Sequence, residues 1–241
     1  MRFKAAAFIL LTFSLPLGAA MKTWDGSLNG NWASALNWTP FGAPVAGDDL
    51  VFPAGAMTFT MTSFTADFNS ITFSGAGYTV NGSGFGLTNG ISVTHTSGTT
   101  TINVPVTLNQ SEIFDVQAAA AALVLSDIVL GANLVEFSGA GETRVGGVIS
   151  GSGRMLKAES GKLTLSGTST YSGPTLVSSG TVLLQNGAAL GSASGATTVN
   201  AGAALALDGG ITVAENVTLN GSGTFGEGAL VGVGGPNTWT G

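Results

Sequence analysis

The stretch LTLSGTSTYSGPTLVSSGTVLL, residues 163–184, carries three short apolar bursts separated by Ser, Gly, Thr and Pro. Leu163 and Leu165 flank Thr164, Leu176 and Val177 follow Pro174, and Val182, Leu183 and Leu184 follow Gly180. Runs this short, bounded by turn-forming residues, read as strands. None can stand alone in water, so each must share a core with neighbours.

The rest of the chain uses the same vocabulary. Charged residues fill 8% of its 241 positions, where an ordinary domain carries roughly 25%. Glycine contributes 38 residues, and Ser, Thr, Asn and Ala fill most gaps between apolar positions. Few helix-favouring surface residues and many β-branched ones predict an all-β protein wetted by hydroxyls and amides. There is no cysteine. Disulfides and thiol catalysis are thereby excluded, and packing and backbone ladders must hold the fold.

Residues 1–20 differ. Arg2 and Lys4 precede an apolar run from Ala5 to Leu17, and Gly18, Ala19 and Ala20 follow. This order predicts a secretory signal peptide cut near Ala20, because the apolar run is short for a membrane span. Its removal takes away two cations and no acid, moving the net charge from −6 to −8. The acidic balance excludes the basic footprint that nucleic acid requires. No later stretch has the length and apolarity of a transmembrane segment. Arg144, Arg154, Lys157 and Lys162 lie close in sequence and are read as a solvated turn face rather than a partner site.

Residues 21–57 form an N-terminal segment holding Trp24, Trp32 and Trp38 and the Asp48–Asp49 pair. From residue 58 the aromatics thin out, and β-branched runs alternate with Ser-Gly, Asn-Gly and other turn signals. The run VQAAAAALVL, residues 116–125, has helix-favouring alanines but no 3.6-residue period. It is expected to fill a tight interior position rather than form a helix.

Internal echoes decide the topology. FSGAGYT at 73–79 returns as FSGAGET at 137–143, ISGSG at 149–153 as LNGSG at 219–223, and the context of Tyr171 returns around Trp239. Such periods predict a right-handed parallel β-helix, a solenoid whose coils take roughly twenty residues each, three coils to the long period. Residues 58–241 then stack about eight coils, roughly 40 Å at ~4.8 Å per coil. The tryptophan-rich segment is expected to cap one end. The chain stops as a repeat closes in NTWTG, and it is expected to be the front part of a longer protein or a truncated gene product.

The segment SGSGRMLKAESGKLTLSGTSTYSGPTLVSSGTVLLQNGAALGS, residues 150–192, resembles the autotransporter-associated β-strand repeat. The matching elements are Gly-x-Leu-x-Lys, Gly-x-Leu-Thr-Leu-Ser-Gly, Thr-Tyr-x-Gly and Gly-Thr-Leu-x-Leu. The opening TWDG, NW, NW and GDDLVF elements are similar to the N-termini of large bacterial surface proteins carrying this repeat. The resemblance implies a β-helical passenger exported by a Gram-negative bacterium and held at the cell surface or outer membrane, or released. No translocator barrel or sorting helix is visible in the chain.

Chemistry is sparse. Parallel β-helices also host polysaccharide lyases and hydrolases, which need clustered carboxylates. Here the acids are scattered, with Asp48–Asp49 and Glu112–Asp115 the near pairs. His95 is the only histidine and lacks the sequence context of a nucleophilic triad; it is expected to be exposed or locally bonded. One His and no Cys exclude the usual zinc sites. No catalytic residue, metal ligand or cofactor site is predicted. Trp24, Trp32 and Trp38 are read first as the cap and second as contacts for a glycan. The expected function is a non-catalytic, exported rod or spacer whose partners are surface glycans or other cell-surface components. A carbohydrate-binding adhesin and a polysaccharide-degrading enzyme are the alternatives.

Overall fold

In the computed structural model, residues 19–223 and 228–241 are described, so all but the last two residues of the leader expected at 1–20 lie outside them. The described chain is all-β except for one short 3-10 turn, Ala35–Asn37. Its strands form a parallel β-solenoid with three faces. A coil runs, for example, from Ser70–Phe73 on the first face to Thr79–Gly82 on the second and Phe85–Leu87 on the third. Eleven strands make up the first face, nine the second and five the third. The nine-stranded face gives about nine turns, one more than the sequence suggests.

Coil length matches expectation. Ile71 pairs with Ile91, and Glu142 with Lys162, each one coil apart. Inward residues therefore stack in columns. On the second face Val80, Ile102, Leu125, Val145, Leu165, Leu184 and Leu207 follow one another in register. On the first, Leu50, Ile71, Ile91, Phe114 and Phe137 do the same. All are buried. The alanine run forms the strand Ala120–Leu125 within the second face.

Residues 21–57 open the stack. Met21–Trp24 pairs antiparallel with Trp38–Thr39 and parallel with Asp49–Phe52. Asp49–Phe52 in turn pairs parallel with Ser70–Phe73, so the parallel ladder already runs through the tryptophan-rich segment.

The echoes divide. Phe73 ends the first-face strand Ser70–Phe73, and Phe137 lies three coils on in Leu134–Ser138 but in register with Ile71, so the motif returns at the same corner two residues out of register. ISGSG and LNGSG are not equivalent: Ile149–Ser150 lies on the third face, Val217–Leu219 on the first. Gly-Ser composition serves more than one corner, because each needs backbone freedom and a local hydrogen-bonding side chain.

Candidate functional site

The three tryptophans meet inside the stack. Trp24 and Trp32 are fully buried and Trp38 is 2% exposed. Trp24 and Trp38 pack edge to face at 5.0 Å, while Trp32 stacks on Phe52 at 5.3 Å. Their ring nitrogens are committed: Trp24 Nε1 donates to the Thr58 carbonyl, Trp38 Nε1 to the Trp32 carbonyl and Trp32 Nε1 to Met61 Sδ. No ring face is left for a sugar. The glycan contact expected of these residues is corrected, and their burial matches the capping role.

His95 is also inside. It is 6% exposed, and its Nε2 lies 3.1 Å from the Thr100 hydroxyl. Burial lowers its pKa, against the pull of backbone hydrogen bonds. It is locally bonded as expected, but not exposed.

The four clustered cations separate. Arg144 and Lys162 both bridge to Glu142 from the outer surface. Burial acts on the Glu142 carboxyl to raise its pKa, but the hydrogen bonds from Arg144, Lys162 and Thr164 outweigh it and the net shift is downward. Arg154 is exposed. Lys157 points inward, in the column between Phe137 and Val177, and is 2% exposed. Its Nζ donates to the carbonyls of Ala158 and Glu159, and burial lowers its pKa to about 8. Sequence reasoning missed this residue because a lysine normally marks the solvent side of a strand.

Two surface concavities lie on the first face. One, of about 390 Å³, is a notch where Gly90 stands between Ser70 and Ile113, with Thr72, Ser92 and Asp115 beside it. A side chain at Gly90 would have its Cβ 2.1 Å from the Ile113 carbonyl oxygen, so glycine is required there and the gap is built in. Thr72, Ser92 and Asp115 are successive ladder partners and present one hydroxyl, hydroxyl, carboxylate row. Ile113 is 51% exposed at its rim. The second, about 310 Å³, is apolar and lined by Leu134, Met155, Leu156, Pro174 and Leu176, with Arg154 at its edge.

Glu112 and Asp115 both border the notch but differ in environment. Asp115 is half-buried on the outer side. Glu112 is 3% exposed, and neither carboxyl oxygen has a hydrogen-bond partner. Burial raises its pKa to about 7, with the amides of Gly90, Asn109 and Gln110 pulling back. A second buried acid, Glu215, is raised to about 7 by burial, opposed by the hydrogen bond from the Thr197 hydroxyl. Among the described residues, no three His, Asp or Glu side chains gather to hold a metal ion.

Residues 155–184 match the family model described as the passenger-associated-transport-repeat. This is the stretch on which the autotransporter-associated resemblance rests. No curated protein and no solved structure matches the chain.

Proposed function

We propose that this chain, whose residues 155–184 carry a passenger-associated transport repeat, is an exported, non-catalytic passenger acting as a rigid β-solenoid spacer at the bacterial surface. The observation that carries the reading is the parallel ladder of the first and second faces, in which each described coil rests on the one before. A stack of this kind is stiff along its axis, and its length is set by coil number alone. Low charge, absence of cysteine and an aromatic plug at one end suit a rod that folds outside the cell without redox help. Partners of the surface would be glycans or other cell-surface components met through the hydroxyl-rich exterior.

Excision of one coil tests this. Residues 142–161 form one register unit, since Glu142 pairs with Lys162. Their removal is expected to leave surface display intact, measured by labelling whole cells with a membrane-impermeant reagent, and to shorten the rod. Confinement of the normal chain to the cytoplasm would sink the exported-spacer reading.

A ligand-holding role is favoured by one observation, the Gly90 notch with its polar row and exposed Ile113. In that reading Asp115→Ala and Ile113→Ser abolish binding on a glycan array. The tryptophans, being buried, take no direct part.

A further inference from the structure

Asp48 is a buried carboxylate at the entry to the stack, 1% exposed. Its Oδ2 accepts the Val45 N–H at 2.8 Å and its Oδ1 accepts the Ala20 N–H at 2.9 Å. The Ala20 carbonyl accepts the Asp49 N–H, also at 2.9 Å. Residue 20 is thus held by both of its backbone groups, one position before the strand Met21–Trp24 begins. Among the described residues the ion pairs are Arg144–Glu142 and Lys162–Glu142. Lys22 spends its ammonium on the carbonyls of Pro40 and Gly42. Among the described residues Asp48 therefore has only neutral donors, and a buried carboxylate is stabilised far better by a cation within hydrogen-bond reach.

We propose that the leader is cut between Ala19 and Ala20, and that the α-ammonium this creates on Ala20 is the counter-ion of Asp48. The proposal rests on the export reading. The cut is a hydrolysis by a leader peptidase: one water is consumed, the Ala19–Ala20 amide breaks, Ala19 leaves as a carboxylate, and the Ala20 amine is protonated. It acts on the extended chain before folding, so the later enclosure of Ala20 is no obstacle. A cut after Ala20 has small residues at Gly18 and Ala20 in its favour. That cut would delete the N–H that Asp48 receives and the carbonyl that receives Asp49. The strand-entry geometry needs residue 20 in the mature chain.

The test is to express the chain with its own residues 1–20 in a Gram-negative host and read the N-terminus of the exported form by sequencing and intact mass. Ala20 is expected as the first residue. A first residue of Met21 overturns the proposal while leaving export intact. A chain that stays in the cytoplasm with residues 1–20 attached overturns the export reading, and the proposal with it. The ion pair is read separately, by placing Asp48→Asn in a chain beginning at Ala20 and in one carrying Gly-Ser ahead of Ala20. The melting temperature is expected to fall further in the first. Equal falls in the two chains would remove the ammonium from the account.

Discussion

Lys157 Nζ lies 3.0 Å from the carbonyl oxygen of Glu159, and Glu159, at φ 56°, is the one non-glycine among the described residues with a positive φ. The inward lysine holds the corner its own strand runs into. A left-handed backbone at a side-chain-bearing residue costs about 1–2 kcal/mol, and Lys157 Nζ offsets this by bonding the carbonyls on either side of Glu159. Lys157→Met is expected to destabilise the protein by roughly 1–2 kcal/mol at pH 9, where the buried amine is largely neutral. With Glu159→Gly in place the loss should shrink, since glycine enters this conformation unaided. A double-mutant cycle by chemical denaturation measures the coupling; strict additivity would show that the lysine does not support the corner.

Two of the three buried acids among the described residues give the protein an acid-favoured stability. Glu112 and Glu215 are raised by burial from 4.5 to about 7, so between those values the folded chain holds protons that the unfolded chain has released. Their stabilisation is complete below pH 4.5 and declines as pH rises to about 7, by of order 3 kcal/mol for each. Lys157 acts in a higher window. Its pKa is lowered from 10.5 to about 8, so stability recovers as pH climbs between those values. Glu215→Gln should flatten the lower slope and leave the upper one. Denaturation midpoints at pH 4.5, 7.5 and 10 test this, and a flat wild-type profile contradicts it.

Glycine at two corners of the stack is required for different reasons. Gly77 has φ 88° and open space where a Cβ would go, while Gly139 has φ 89° and a Cβ position 2.0 Å from the Val116 carbonyl oxygen. Gly77→Ala is expected to cost only the backbone strain, about 1 kcal/mol. Gly139→Ala adds a clash with the coil beneath and should cost several times as much. Comparable melting temperatures for the two variants would contradict the inter-coil contact.

The aromatic plug is expected to behave as core. Trp32→Ala removes a ring packed against Trp38, Phe52, Phe68 and Phe85 and should destabilise the protein by roughly 3–5 kcal/mol. Leu28→Ala, on the same segment but 56% exposed, should be near neutral.

Alternation made much of this legible. Leu163, Leu165, Val182 and Leu184 point into the column as their period-2 pattern requires, because a parallel stack preserves each residue's facing from coil to coil. What escaped were the residues whose polarity contradicts their facing. Lys157 and Glu112 occupy inward positions, one bonded to corner carbonyls and one without a hydrogen-bond partner, and no pattern of hydrophobicity announces them. The tryptophans were ambiguous for a related reason: a ring that stacks on sugar and a ring that stacks on phenylalanine have the same sequence appearance. The start of the stack was hidden as well, since GDDLVF carries no glycine-bounded rhythm, yet its last four residues pair with Ser70–Phe73.

The ladder hydrogen bonds run from coil to coil, along the long axis of the molecule. Tension applied end to end therefore loads one inter-coil seam at a time instead of shearing many together. Each coil that peels away exchanges a ~4.8 Å rise for roughly 70 Å of extended chain, as twenty residues allow. Pulled from its ends, the solenoid would lengthen in steps of one coil, of about 19 to 25 residues each, and absorb work at every step.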